Sequence, residues 1–557
     1  MSGKRIVLVA SRTESNEHSQ DCWIQMLYAT IPSRVALLAT DLHWLDNEVN
    51  RDGQARYVPN GLRVVESILL QEFPAEEIVV CYPQHLAAFL GDDTRVVGVH
   101  AHNPLGITFA TDVYAQFAGP KNQPLNATDF KNLMTHPALL RHKHHLKLLV
   151  GGPGAWQIEH AGKMDEWGID CLVDGEAEAL ILPLFRSALQ GEPLVRTIKG
   201  KSPKMEDIPI TRHRSTLGVV EITRGCGRGC QFCGIATRRG LSLPLENILG
   251  NVRANVADGA DTIMLTTEDL FLYEQGPRFA TNRNALLGLY RAVAAEPGVR
   301  YIHQTHATIT PVVQDPALIE ELTPYAVGMS HKRHPASTHP DHCYASVIIG
   351  LETGSVRLFK KFMPGKSYPY RPEQWPDVML KGMEILNRHN WFPFCTWIIG
   401  LPGETDADTK ESLDLLHALK DAKWCVVPTL FTPLEDTRLA GKGGARLAQL
   451  TELQWEFFFT CWRHNLDFLR GDRRLAFSLG IPIYYYLLGR RLFGRKIKYP
   501  LYRLAHVPEL LLQRKLYLRY DGEATRFHVP EQVPISRLEA FDARIFQYRS
   551  ESETVSI

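Results

Sequence analysis

The sequence lacks a dominant charge, a long apolar run and a cysteine framework. Across 557 residues, Lys+Arg 62 against Asp+Glu 61 leave a formal net charge of +1. No whole-molecule field therefore gathers nucleic acid or an anionic membrane, and such a partner would need a local patch. The longest suspicious stretch, residues 479–488 (LGIPIYYYLL), contains a Pro and three Tyr and falls well short of the roughly 20 apolar residues that span a bilayer. The opening MSGKRIVLVASRTESNE has an apolar run only from Ile6 to Ala10, below the roughly 7–15 residues of a secretory core. A soluble, cytoplasmic chain is expected. Gly 41 and Pro 34 are close to average, which excludes collagenous and low-complexity chains. The composition, 45% hydrophobic and 22% charged, suits packed cores in three or four domains of roughly 150 residues each. Ten Cys are too few for a disulfide scaffold, so thiols or metal ligands are expected.

Three of those cysteines are clustered. Cys226, Cys230 and Cys233 stand in EITRGCGRGCQFCGIATRRG, a C-x3-C-x2-C spacing that wraps three thiolates around one point. Gly225, Gly227 and Gly229 permit the tight backbone, while Arg224, Arg228, Arg238 and Arg239 bring positive charge that favours thiolate over thiol. A closed zinc site would want a fourth protein ligand, and the next His or Cys after Cys233 is His303. An iron–sulfur cluster held by three thiolates leaves one iron open. A three-Cys zinc site with a distant His, and cysteines of an ordinary core, are the alternatives.

This loop, with Phe232 just before its third Cys, resembles the signature of the radical S-adenosylmethionine (SAM) superfamily. Strand patterns follow at 219–222, at 261–267 (ending in Glu268-Asp269), from Tyr301, and at 345–355, 392–405 and 425–437. They alternate with helical stretches such as PEQWPDVMLKGMEILNRHN, the pattern of parallel β/α units. Six units make a partial (β/α)6 barrel, whose chemistry belongs at the C-terminal strand ends. Taken singly, the Gly-Leu-Glu-Thr-Gly and Gly-Leu-Pro-Gly-Glu segments at two of those ends could be mere turn chemistry. The resemblance implies a [4Fe-4S] cluster on the three cysteines as metal ligands. It puts Glu268 or Asp269 on the amino group of SAM, Glu352 and Ser355 at the ribose, and Gly400 to Gly403 beside the adenine.

Residues 1–200 also alternate, with strands at 5–10, 34–40, 94–100, 145–152 and 169–175, which predicts a doubly wound sheet. Glycine pairs at two strand exits, Gly151-Gly152-Pro153-Gly154 and Gly175-Glu176-Ala177-Glu178, resemble in order and position the cobalamin-binding domain of B12-dependent radical SAM enzymes. The resemblance implies cofactor contacts from Gly151, Gly152, Pro153, Gly175 and Glu176, and from His102 and Asn103. The stretch from Asp41 to Asp46 (DLHWLD) lacks the glycine of the usual Asp-x-His-x-x-Gly cobalamin motif and is read as coincidence, so cobalt would have no protein His. Arg63 is the candidate for the lower face: a guanidinium cannot donate a lone pair, and it would keep water off cobalt and favour cob(I)alamin. Arg63 in an ordinary ion pair is the alternative.

The architecture expected is thus α/β throughout the first two domains: a Rossmann-like cobalamin domain (1–200), a radical SAM barrel (201–440) and a mainly helical cap (441–557). The implied activity is methyl transfer from SAM through methylcobalamin to a carbon of a small molecule, such as tryptophan or a natural-product intermediate. An electron donor is needed, and neither a membrane nor a nucleic acid is expected as partner. The interval from Arg63 to Cys226 and the placement of Glu268 look similar to the branch that methylates tryptophan at C2. There a Glu on the open iron makes the transfer polar rather than radical, and Glu268 is the catalytic candidate for that role, with Arg63. A polar route also needs a base, for which Tyr301, His303 and Thr305 on one strand face, or Gln304 and His306 on the other, are candidates. Alternatives are a B12-dependent cyclase or rearrangement enzyme, and a methylthiotransferase, which would need three further cysteines; Cys22, Cys81 and Cys171 are far apart. The segment Ala118 to His145 reads as an insertion with surface histidines His142, His144 and His145. Residues 470–504 carry nine Lys/Arg against one acid and read as a solvated cap rather than an RNA surface.

Overall fold

A computed structural model describes residues 3–17, 33, 47–108, 111, 123–238, 240–435 and 437–469. The expected strand at 34–40, the stretch from Asp41 to Asp46, Cys22 and residues 470–504 lie outside them. The chain divides into two compact units, Met1–Val220 with Pro244–Ile263 and Glu296–Val299, and Glu221–Leu243 with Met264–Ala295 and Arg300–Ile557. No helix of the described residues is long and apolar enough to cross a membrane.

The first unit is built on strands β1 (Ile6–Ala10), β2 (Ile78–Cys81), β3 (Val96–His100), β4 (Lys147–Gly151), β5 (Cys171–Asp174) and β6 (Thr197–Lys199), in the order β2-β1-β3-β4-β5-β6. Every pairing is parallel. Alternate residues feed two cores. Val7, Val9, Val97 and Val99 pack with Phe130, Leu133 and Trp167, whereas Ile6, Leu8 and Val96 pack with Leu62, Ile68 and Phe185. A parallel sheet covered on both faces is why these strands read as continuous apolar runs, and the doubly wound expectation holds. The order reverses between β1 and β3, which opens a crevice at their carboxyl ends. The segment read as an insertion is corrected: helices Leu125–Met134 and Pro137–His142 lie in the crossover from β3 to β4. Leu125, Phe130, Leu133 and Leu139 are buried there, a helical spacing masked by the Asn, His and Lys around them. Its His144 is exposed, as anticipated.

The barrel strands are β7 (Val219–Glu221), β10 (Thr262–Thr266), β11 (Tyr301–Gln304), β12 (His306–Ala307), β13 (Ile348–Glu352), β14 (Phe394–Ile399) and β15 (Cys425–Leu430); β8 (Thr223–Arg224) and β9 (Leu241–Ser242) form a small antiparallel ladder. Two sheets result, β11-β10-β7 and β12-β13-β14-β15. Thr305 links them, its amide donating to the Leu265 carbonyl (3.1 Å) and its carbonyl accepting from the Ile348 amide (2.7 Å). β11 and β12 are thus one bent strand, and the six-unit barrel pattern of the sequence is present. Its last strand is closed by the helix Glu452–Leu469, where Trp455, Phe458 and Phe459 are buried as their spacing requires. From that helix, Asn465 accepts from the Val426 amide (2.7 Å) and donates to the Val426 carbonyl (2.6 Å), standing in for a neighbouring strand on β15. The remainder of the expected cap lies outside the described residues.

Replacing Asn465 by Leu leaves both backbone groups of Val426 buried without partners, at roughly 1–3 kcal/mol each. Denaturant unfolding should show a loss of about 2–6 kcal/mol; a loss within experimental error would contradict the strand-closing role.

Candidate cofactor site

Within the second unit the Cys loop is bracketed by the β8–β9 ladder, where Thr223 pairs with Ser242 and Arg224 with Leu241. Gly225, Gly227 and Gly229 have φ of 76°, 73° and 77°, a left-handed backbone that L side chains resist and that curls the loop tightly enough for three sulfurs to converge. Cys226, Cys230 and Cys233 are free thiols. Burial pushes the Cys226 thiol up to about 11 and that of Cys230 to about 12, and the charge of neighbouring cysteines adds to the rise. Three sulfurs converging in a buried loop stay protonated while no cation is bound and would repel one another as thiolates, a repulsion that a bound cation relieves, so the donor set fits iron.

The basic residues act differently from the sequence expectation. Arg224 is held by Glu221 (2.5 and 2.9 Å). Arg228 is buried and bonds Asp269 through Nε (3.2 Å) and Nη2 (3.0 Å), although its charge does act on Cys226. The cation acting on Cys230 is Lys366, which the sequence did not signal because it lies far along the chain, after β13. Lys366 donates to Glu352 Oε1 (2.9 Å), while its own carbonyl accepts from Thr310 Oγ1 (2.9 Å). A β carbon on Gly350 would stand 1.9 Å from Glu352 Oε1 and 2.4 Å from Lys366 Nζ, so only glycine leaves room for this ion pair. Glu352 itself has φ 65° at a bulge in β13, and its Oε2 accepts from Thr396 Oγ1 (3.2 Å).

Glu268 and Asp269, alternatives in the sequence, part company in the structure. Asp269 is wholly enclosed: besides Arg228 it accepts from the amides of Thr308 (3.0 Å) and Phe271 (3.2 Å) and from the Thr308 hydroxyl. Glu268 has a buried Oε2 without a hydrogen-bond partner. Burial, aided by the Glu221 carboxylate, pushes its carboxyl up to about 7 although the Gly225 amide bonds it. A carboxylate oxygen left bare beside Gly225, the neighbour of Cys226, suits an incoming cationic group.

Three further candidates have protein partners of their own. Ser355 caps the helix Val356–Phe362, accepting from the Leu358 amide (3.3 Å) and donating to Asp408 (2.6 Å), so its one donor is spent within the protein. Gly400 belongs to a turn tied by Glu404, whose Oε2 accepts from the amides of Gly400 (2.6 Å) and Leu401 (3.0 Å), with Ala445 packed against Gly400; the turn reading of this segment suffices. Arg63 is buried in an ion pair with Glu66 (2.8 Å), and it donates to the carbonyls of Arg214 (2.9 Å), Ala55 (3.1 Å) and Arg56 (3.2 Å). Four of its donors are thus spent inside the protein, the arrangement of an ordinary ion pair.

Of the candidate bases, His303 bonds His331 (3.0 Å) and Gln304 bonds Tyr290 and the Ser346 carbonyl, both inside the core. Tyr301 packs edge-on against His331. Thr305 and His306 meet the Thr267 carbonyl (3.0 and 3.2 Å), next to Glu268 in the chain, and the His306 ring is exposed. His306 donates through Nδ1 to that carbonyl, and loss of hydration around the ring pushes its imidazole down to about 4, so the ring is neutral and a weak base at neutral pH.

In the first unit, the residues picked for a second cofactor share the carboxyl edge of the sheet. Gly151 ends β4 and Gly152 follows it, Gly175 and Glu176 follow β5, and His102 and Asn103 follow β3. Pro153 and His102 are exposed, whereas Asn103 is buried in a polar knot with Gln157 (2.9 Å), Thr111 (3.0 Å) and Asn126 (2.6 Å), and positions the loop from inside. Glu14, after β1, ties this edge together: it bonds His100 (2.8 Å) and accepts from the His102 amide (2.8 Å). Its role was not legible because it bridges β1 to β3.

Residues 220–416 match the family model described as Radical SAM superfamily. The chain carries a radical SAM domain. Among curated relatives, the tRNA-2-methylthio-N(6)-dimethylallyladenosine synthase of Ralstonia nicotianae is 25% identical over 232 residues (41% of this chain, 46% of the relative). That of Moorella thermoacetica is 25% identical over 266 residues (46% and 53%). The threonylcarbamoyladenosine tRNA methylthiotransferase MtaB of Treponema pallidum is 26% identical over 257 residues (44% and 46%). The chain thus spans about half the length of the curated relatives it matches. Among solved structures, the radical SAM methyltransferase TsrM of Kitasatospora setae, with tryptophan and a SAM analogue bound, aligns with TM-score 0.52 at 16% identity, covering 78% of this chain and 75% of TsrM. TsrM with cobalamin and a [4Fe-4S] cluster aligns at 0.51 and 15%, covering 82% and 85%. The fold is therefore shared over most of both chains.

In this radical SAM domain, Asp269→Asn weakens the Arg228 anchor of the Cys loop and should lower iron loading after reconstitution to under half, whereas Glu268→Gln should keep it. Iron analysis of both variants checks this; equal loading would remove Asp269 from its anchoring role.

Proposed function

We propose that this chain is a cobalamin- and SAM-dependent methyltransferase with a [4Fe-4S] cluster, acting on a carbon of a small molecule. The observation that carries the reading is the pairing, in one chain, of a Cys loop beside an unsatisfied Glu268 oxygen with a doubly wound sheet whose candidate ligand residues line its carboxyl edge. When bound, the cluster, SAM and cobalamin would supply the methyl group and its relay. Cys226, Cys230 and Cys233 would hold iron; Glu268 would receive the ammonium of SAM, and Lys366 with Glu352 would fix the charge around the sulfurs. Gly151, Gly152, Pro153, Gly175, Glu176 and His102 would line the cobalamin edge, with Asn103 bracing it. A reductant completes the system, and tryptophan, bound by TsrM, is the first substrate to offer.

A methylthiotransferase is the second reading, favoured by the names of the curated relatives, which also raise tRNA as a partner. The cysteines of the first unit speak against it. Cys81 in β2 and Cys171 in β5 are wholly buried, with β1, β3 and β4 between them, so they cannot share a second cluster.

Incubating the reconstituted enzyme with trideuteromethyl-SAM, cobalamin, reductant and tryptophan or related indoles should yield a product carrying the intact labelled methyl. Sulfur in the product, or product formation independent of cobalamin, would overturn the reading. Because the Glu268 carboxyl titrates near 7 and only its ionised form attracts a cation, SAM affinity should fall as the pH drops through that value, by about tenfold between pH 8 and pH 6. Glu268→Gln should flatten this profile. A flat wild-type profile would instead put Glu268 on iron.

A further inference from the structure

Between the helix Pro316–Ala326 and β13, residues 331–344 read HKRHPASTHPDHCY, unusually rich in histidine. The segment folds back on itself. Arg333 bridges Cys343, the His334 amide donates to the His342 carbonyl (3.0 Å), and Ser337 Oγ donates to the Cys343 carbonyl (2.5 Å). Its tip is tied down by Thr338, whose amide and hydroxyl both meet Asn390 Oδ1 (2.9 and 3.1 Å).

Three of the four histidines have fixed employment: His331 with His303 (3.0 Å), His334 with the Phe468 carbonyl (2.8 Å) and His342 with the Ser337 carbonyl (3.2 Å). The His339 ring accepts at Nδ1 from the amide of Asp341, two residues on (3.2 Å). A ring nitrogen of His339, a carboxylate oxygen of Asp341 and Sγ of Cys343 all lie within 4.8 Å of one another. Between the last two stands His342 at φ 55°. A bulky residue persists in this left-handed region only where its surroundings hold it there.

We propose that His339, Asp341 and Cys343 bind one divalent transition-metal ion, zinc by its ligand chemistry. A thiolate with an imidazole excludes magnesium and calcium and suits zinc. Thiolate and carboxylate together cancel the charge of the dication, so a neutral ensemble forms around Cys343, a residue 1% exposed. Zn–S of about 2.3 Å and Zn–N of about 2.0 Å place tetrahedral donors about 3.5 Å apart. The triad closes by about 1 Å to reach this, and water takes the fourth position. On binding, the Cys343 thiol gives its proton to solvent as the Zn–S bond forms. The site enters β13 ahead of Ile348, whereas Glu352 ends that strand in the cofactor site, so this ion is separate from the iron cluster.

The test uses the full chain with its iron cluster reconstituted, equilibrated with zinc sulfate and desalted through a weak chelator. Metal analysis should find one zinc per chain beyond the iron. Cys343→Ser and His339→Ala should lose the zinc with iron unchanged. Cobalt(II) in place of zinc should give a thiolate-to-cobalt charge-transfer band that Cys343→Ser abolishes. Should the Cys343 variant misfold, Asp341→Asn, at an exposed residue, should still weaken zinc binding by about tenfold or more. Absence of zinc from the wild-type chain, or zinc retained by the His339 and Cys343 variants, overturns the site.

Discussion

The barrel site depends on the buried pair between Arg228 and Asp269. Arg228 belongs to the Cys loop and Asp269 follows β10, while Thr308, which also bonds Asp269, follows β12. One carboxylate thus gathers the cysteine loop and the ends of two barrel strands. Such a pair carries a large desolvation cost that is offset only because each oxygen is fully bonded. Removing one partner strands a charge in the core, so the arrangement acts as a register pin more than as a source of stability. With Asp269 fully occupied, Glu268 alone is left to meet a ligand.

A second charge pair sets the electrostatics. Lys366 is buried against Glu352 and near the cysteines, and despite desolvation its ammonium is held above its usual range by these negative neighbours. The pair stands where Gly350 omits a side chain and Glu352 accepts a left-handed backbone. Strain of this kind gathers at functional sites, where the surrounding contacts fix it.

Much of this was legible in the sequence, for local reasons. The cysteine spacing, the alternation of strands and helices and the glycines at strand exits each depend on neighbours in the chain. The crossover helix Leu125–Met134 was missed because its apolar positions sit among polar residues that read as loop. Ser355 and Gly400 matched a pattern at strand ends, but Asp408 and Glu404 claim them, and those partners lie in the following β/α unit for Ser355 and within the turn itself for Gly400. Arg63 shows the same limit: its partners include Arg214, whose carbonyl comes from far along the chain. Lys366 and Glu14 escaped notice because each acts across strands distant in sequence. Spacing reveals a ligand set, while the fate of each hydrogen-bonding group depends on the tertiary fold.

The most direct test is the iron, sulfide and cobalamin content of the anaerobically purified chain, for the wild type and for Cys230→Ala. The account predicts about four irons and one cobalamin per chain, with iron lost and cobalamin kept in the variant. About eight irons without cobalamin would contradict it and point to a methylthiotransferase.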